Sequence, residues 1–244
     1  MSRPSRPGTP DFERARQETI RYHEEFYATT PLGAEGTWLA RPHRLVYDAL
    51  ALMPDDRPVV AYDLGAGVGR HTIPLMSALP EGSEVHAIDL LESAVQRLRA
   101  LSSASGAAVV HARQADLAEL EFSGPVDLVF AFSAIEHLAD AEAISRLLRK
   151  ARSALRPRGV VALGIVADRS EIDGAGFRRP ALIESGLTSN DVEELLSGTF
   201  PGFDVISRTA RPAHVVERRD AEDYTLSSTL VTWIGVKPDP SDDR

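Results

Sequence analysis

Three glycines at alternate positions, an acid just before them and a second acid 20 residues after the last are the residues of this chain best placed for chemistry. They lie in Val59-Val60-Ala61-Tyr62-Asp63-Leu64-Gly65-Ala66-Gly67-Val68-Gly69-Arg70 and at Asp89. Glycines let the backbone approach a ligand where a Cβ would clash. A helix that starts just after them offers free N–H groups and a positive dipole end. The stretch therefore reads as a cofactor cradle. The dinucleotide fingerprint places its glycines first, third and sixth. Here the third glycine comes one place early and Arg70 fills the sixth position, so that fingerprint is not met. Farther on, His137 can exchange a proton near neutrality.

The elements around the cradle follow from hydrophobic period. Residues 58–63 form a short apolar run, β-branched at its start, as a buried strand does. Further strands are predicted at 84–88, 107–111, 126–132, 160–166, 203–206 and 230–236. Helical patterns occupy 11–27, 42–53, a segment with Ile73, Met76 and Leu79 inward, 91–101, 139–155 and 188–197. Pro74 predicts a kink. Residues 168–180 read as a polar loop, and a long charged loop joins the last two strands. Alternation of strand and helix implies a doubly wound parallel sheet. The last two strands lack a helix between them, so the final one can run antiparallel. Residues 1–10 and 238–244 read as disordered tails and 11–41 as a helical lid segment over the main domain at 42–237.

Composition narrows the function. The chain has 244 residues, 43% of them hydrophobic, and a net charge of −9, which argues against nucleic acid as the main partner. It has no cysteine, so disulfides, thiolate metal sites and a cysteine nucleophile are excluded. No stretch approaches the roughly 20 apolar residues of a membrane span, and no signal peptide is visible. A cytoplasmic protein, monomer or homodimer, with neither nucleic acid nor membrane as partner, is expected.

Five motifs now stand in order. Asp63-Leu64-Gly65-Ala66-Gly67-Val68-Gly69 closes the first strand, Asp89 the second, and Ala115-Asp116 follows the third. Val126-Asp127-Leu128-Val129-Phe130 makes the fourth, and Leu155-Arg156-Pro157-Arg158-Gly159 precedes the fifth. The series resembles that of the class I S-adenosylmethionine (SAM) methyltransferases, with Arg158 where the family's L-(K/R)-P-G-G turn has a glycine. The run Ile135-Glu136-His137-Leu138 and the long final hairpin look like the small-molecule branch, including tellurite-resistance-type and ubiquinone-type enzymes. The resemblance covers about 42–237. It implies an α/β, Rossmann-like, doubly wound seven-stranded sheet of order 3-2-1-4-5-7-6, last strand antiparallel, with an N-terminal helical cover.

It also implies the site. SAM would be the cofactor, with Gly65, Ala66, Gly67 and Gly69 against its amino-acid tail and ribose. Asp63 would sit near the cationic end, and Asp89 would accept both ribose hydroxyls, being acceptor-only with two oxygens. Leu90 would pack on the adenine. Asp116, flanked by Ala115 and Leu117, would accept from the adenine amino group or cap the short turn that follows. Ala131 and Phe132 would line the far side. The acceptor is a small molecule, and methyl transfer to it is an in-line displacement. The enzyme aligns the partners and excludes water, with a base needed only where the nucleophile carries a proton.

His137 is the candidate catalytic base, with local packing as its other reading. Tyr22, His23, Tyr27 and Trp38 would line the acceptor or pack the appended helix. In tellurite-resistance-type enzymes the last loop brings a His-Arg pair to the substrate. Here Glu217-Arg218 takes that place, near His214. Glu136-His137 matches part of the ubiquinone-type E-x-x-E-H metal pattern, but Ser133 replaces its first Glu, so no metal is expected. Two other readings remain at this point. One is a SAM-binding fold with different chemistry, such as aminopropyl transfer or a SAM-assisted rearrangement. The other is a non-catalytic SAM-binding subunit.

Overall fold

A computed structural model describes residues 10–102, 107–219 and 222–241. Residues 1–9 of the expected N-terminal tail and 242–244 of the C-terminal one lie outside that range. The first helix, α1 (Pro10–Thr29), opens on a proline, which needs no N–H partner at that position, and carries Asp11 and Glu13 at its positive dipole end. Then follow α2 (Arg44–Leu50), β1 (Val60–Leu64), α3 (Thr72–Ala78), β2 (Glu84–Asp89), α4 (Glu92–Ser102) and β3 (Val109–Gln114). The second half holds β4 (Val126–Phe132), α5 (Ala141–Ala154), β5 (Leu155–Ile172), β6 (Arg178–Pro180), α6 (Ser189–Thr199), β7 (Asp204–Arg219) and β8 (Glu222–Val236). Single turns of 3-10 helix stand at Leu117–Glu119 and Ile135–His137.

The sheet order is β3-β2-β1-β4-β5-β8-β7, with the short β6 paired only to β5. Counting the seven main strands, this is the predicted 3-2-1-4-5-7-6, and β8 is antiparallel to both neighbours. Two apolar layers fill the faces. One holds Ile144, Leu147 and Leu148 of α5 with Val192 and Leu196 of α6, and the other Leu45, Val46, Leu75, Met76 and Leu98 of α2, α3 and α4. The central strand β4 is buried on both sides along nearly its whole length, so it carries no alternation of polar and apolar residues.

Three expectations need correction. Residues 168–180 are not a loop, because β5 continues to Ile172 and turns through Asp173 into β6. The Asp173 carboxylate accepts from the N–H groups of Ala175 and Phe177, which makes that turn. The charged stretch before the last strand is not a loop either. It is the long hairpin of β7 and β8, paired from Asp204↔Val236 to Arg219↔Glu222. Pro212 is tolerated in it because β7 is an edge strand. Pro74 falls within the first turn of α3, where N–H groups have no helical partner, so no bond is lost and no kink is required. Among the described residues no helix is long and apolar enough to cross a membrane.

Beyond the carboxyl ends of the parallel strands, the outer part of β5 and the β7–β8 hairpin form one wall. Helix α1 forms the opposite wall. It is seated by a third apolar cluster in which Tyr27 and Leu39 meet Val68, Leu91 and Ala94.

Candidate active site

Two cavities open there, of about 720 and 1380 Å³ counting their mouths, the first bordered by α1 and the second lying between both walls. The first is lined by Asp89, Leu90, Leu91, Asp116, Leu117 and Leu138, under Arg16 and Ile20 of α1. The second is lined by the loop residues Ala66, Gly67 and Val68, by Trp38, Arg70, His71 and Phe132, and by Arg169, Leu182, Val215 and Leu226. Thr19, His23, Tyr27, Gly65, Ser133 and His137 face both. The two cavities are therefore neighbours across one narrow junction.

The glycine loop is shaped by backbone that only glycine adopts without strain. Gly65 and Gly67 have φ of 68° and 55°. A Cβ on Gly65 would lie 2.3 Å from the Cβ of Ala134. The loop hangs from β2: the N–H groups of Gly65 and Ala66 donate to the Ile88 carbonyl at 2.8 and 3.0 Å, and that of Gly67 to Asp89 Oδ2 at 2.7 Å. Asp89 Oδ1 accepts from the Leu91 N–H at 2.9 Å. Burial raises the Asp89 carboxyl above its ordinary range, and these backbone donors oppose the rise. A carboxylate has about four lone-pair positions, so Asp89 keeps acceptor capacity toward the cavity.

Asp116 caps the short turn after β3 by accepting from the Ala118 N–H at 2.9 Å. Its other oxygen pairs with Arg16 of α1 at 2.5 Å. Sequence reasoning gave no signal for Arg16, because its partner is brought from 100 residues away. Asp63 departs from expectation. It is 1% exposed, lines neither cavity and accepts from Thr72 Oγ1 at 2.6 Å, which ties β1 to α3. Burial pushes its carboxyl up to about 7. Gly69, Ala115 and Ala131 also line neither cavity. The Gly69 N–H closes a turn on Ala66, the Ala115 N–H donates to the Asp89 carbonyl, and Ala131 is buried in the sheet. Phe132 lies on the second cavity rather than the first.

Arg70, the residue that broke the dinucleotide spacing, has its guanidinium 5.2 Å from the ring of Trp38 and 5.1 Å from that of Phe132. It donates to the Trp38 carbonyl, and burial lowers its pKa to about 10. Trp38 stacks on Phe26, and Tyr22, His23 and Tyr27 complete this aromatic wall. His214 is exposed and lines neither cavity. Strand side chains alternate, so its neighbours Ala213 and Val215 face inward instead. The side chains of Glu217 and Arg218 lie outside the described ones.

His137 sits in the single turn after β4, with Nδ1 3.1 Å from Glu184 Oε2. Ser133, at the start of that turn, takes a left-handed φ of 50°. Glu136 is fully buried and turned away from His137, with Oε1 accepting from the Val166 N–H at 3.0 Å and 3.5 Å from Arg169. Among the described residues no three His, Cys, Asp or Glu side chains are grouped to hold a metal.

A family model described as a methyltransferase domain matches residues 61–159. Those residues are thus similar to a methyltransferase domain. The matched stretch runs from β1 through the Arg158 turn and contains the glycine loop, Asp89, Asp116 and His137, whereas α1 and the β7–β8 hairpin lie outside it. Trans-aconitate 2-methyltransferase of Azoarcus sp. (strain BH72) is 35% identical over 121 residues, which are 49% of this chain and 44% of that relative. The chain thus matches less than half the length of this curated relative. TehB from Haemophilus influenzae superposes with a TM-score of 0.60 at 14% identity, over 89% of this chain and 66% of that one. Magnesium protoporphyrin IX methyltransferase from Synechocystis PCC 6803, solved with bound SAM, gives 0.54 at 15% identity, over 93% and 99%. At these identities the structural likeness is one of fold. The matched stretch supplies Gly65, Ser133 and His137 to both cavities, and α1, outside it, supplies Thr19, His23 and Tyr27 to both.

Proposed function

We propose that this methyltransferase domain binds SAM against the glycine loop and passes its methyl group to a small-molecule acceptor held in the second cavity. The carrying observation is the junction: Gly65, Ser133 and His137 border both cavities, so a ligand in one meets a ligand in the other there. The first cavity suits an adenosine, with apolar Leu90, Leu117 and Leu138 between the carboxylates of Asp89 and Asp116. Its floor includes Gly65, where any larger residue would collide with Ala134. When bound, SAM supplies a methyl carbon on a sulfonium, an activated leaving group.

The chain's own residues do the rest. Asp89 fixes the glycine loop and accepts from hydroxyls. The aromatic wall of α1 and Trp38 orders the acceptor and keeps water out. His137 takes the proton where the acceptor atom carries one. Trans-aconitate 2-methyltransferase is named for a small carboxylic acid acceptor, which supports a small, polar molecule as the acceptor here. The reading has the protein acting in the cytoplasm, as monomer or homodimer, with neither nucleic acid nor membrane as partner.

Calorimetric titration with SAM, S-adenosylhomocysteine and NAD in parallel tests it. The first two bind at micromolar concentration and NAD does not. Binding of NAD alone, or of none of the three, overturns the reading.

A further inference from the structure

Glu184 belongs to the segment between β6 and α6, and no motif in the sequence singles it out. Its side chain is 1% exposed, yet it borders the first cavity and reaches His137. Three bonds hold it there. Ser185 Oγ donates to the Glu136 carbonyl at 2.6 Å, within the turn that bears His137. The Asp168 N–H donates to the Leu187 carbonyl at 2.9 Å, and the Ser189 N–H to the Asp168 carboxylate at 3.0 Å. The segment is thus fastened both to the His137 turn and to β5. Burial raises the Glu184 carboxyl, but the adjoining His137 and hydrogen bonds from it and from Thr19 outweigh this and bring it down to about 2.

An ionised carboxylate only accepts, so the atom of His137 that faces it carries the proton. The groups around His137 do not compete for that atom. His23 of α1 gives its own Nδ1–H to the Thr19 carbonyl at 2.8 Å, and burial, with His137 beside it, lowers it to about 4, so it is neutral. Tyr27 of α1 is held un-ionised by burial. Asp89 of β2 is engaged by backbone donors, and Arg169 of β5 lies beside Glu136.

We infer that Glu184 is a positioning residue, which fixes the His137 ring in its Nδ1–H form and leaves Nε2 as the proton acceptor at the junction. The inference deepens the proposed methyl transfer and rests on it for its use. In that reaction the acceptor atom gives its proton to Nε2 and forms a bond to the methyl carbon. The sulfur–carbon bond breaks with its electron pair left on sulfur, and the imidazolium afterwards returns the proton to solvent. Such a base serves a hydroxyl, thiol or other protonated nucleophile. A carboxylate acceptor, already ionised, does not need it.

The test is long-range ¹H–¹⁵N spectroscopy of the imidazole rings in the full chain, with His137 assigned by its loss in His137→Gln. The expected neutral ring is the Nδ1–H tautomer. Replacing Glu184 by Gln puts a group that can donate as well as accept beside Nδ1, so the preference for the Nδ1–H form weakens and the Nε2–H form gains population. A neutral Nε2–H ring in the wild type, or a tautomer balance unmoved by the substitution, overturns the inference. If Glu184→Gln fails to fold, Glu184→Asp, whose shorter carboxylate sits farther from the ring, shows a smaller change of that balance in the same direction. Wild-type protein that binds no S-adenosylhomocysteine fails the proposed function while leaving the ring result standing, so the two failures are separable.

Discussion

The hydroxyl of Tyr27 stands where a side chain on Gly67 would have to go: a Cβ at that position would lie 2.6 Å from it. The contact joins α1 to the glycine loop, so the cover is fitted to the cradle. Gly67→Ala meets two penalties, the left-handed φ of 55° and the tyrosine. The backbone part alone costs about 1–2 kcal/mol. We expect a lower Tm and at least tenfold weaker S-adenosylhomocysteine binding by calorimetry. Adding Tyr27→Ala relieves the contact and not the backbone, so the double variant recovers part of the loss, with a coupling of about 1 kcal/mol. Strict additivity would show that the two residues do not meet.

Asp89 holds the glycine loop and, in the proposed function, the ligand as well. Asp89→Ala leaves the buried N–H groups of Gly67 and Leu91 without their acceptor, at about 1–3 kcal/mol each. Denaturant titration is expected to register a loss of stability of that order. Calorimetry is expected to show SAM affinity down tenfold or more. Unchanged affinity in the folded variant removes Asp89 from the ligand site.

Asp63 makes stability fall as pH rises. Burial lifts its carboxyl from 3.8 to about 7 in the folded chain. The folded protein therefore holds a proton that the unfolded chain releases near pH 4. The contribution is full below the unfolded value and is lost as pH rises through about 7, to a total of about 4 kcal/mol at 1.36 kcal/mol per pH unit. Asp63→Asn keeps an oxygen for Thr72 and has no proton to lose. Its Tm exceeds that of wild type at pH 8, and the gap narrows at pH 5 and closes below about pH 4. Parallel Tm curves for the two proteins contradict this.

Arg158 occupies the turn before the inner part of β5 with φ of 59°. Left-handed backbone costs a non-glycine residue about 1–2 kcal/mol, and glycine loses about 0.5–1 kcal/mol more entropy on folding. Arg158→Gly is thus expected to stabilise by up to about 1 kcal/mol, read in the denaturant midpoint, without altering cofactor affinity. A destabilised variant means that the side chain outweighs the backbone.

The parallel sheet was readable because its signals are local. Leu128 to Phe132 is an unbroken apolar run, and Asp63 to Thr72 writes strand, turn and helix start in consecutive residues. The β7–β8 hairpin was not readable in full, because its outer half has charged residues and Pro212 at an exposed edge, where propensity says little and pairing decides. Gly65, Gly67, Asp89, Leu90 and Asp116, picked out by local motifs, each line at least one of the two cavities. The side-chain pairs at those cavities gave no local signal. Arg16 with Asp116 and His137 with Glu184 are joined only by tertiary folding, over 100 and 47 residues. Asp63 misled for a related reason: a strand-end acid can turn toward the ligand or toward the next helix, and only packing chooses.

One property of the β7–β8 hairpin bears on how this protein can change over evolutionary time. Ala213 and Val215 stand opposite Ser228 and Leu226, and these four share the face that borders the second cavity. The hairpin lies outside the matched domain and touches no part of the first cavity. Mutations at every other residue of this ribbon redraw one compartment while the other is inherited unaltered. A lineage can reshape the second cavity by editing a few side chains on a frame whose backbone pairing stays the same.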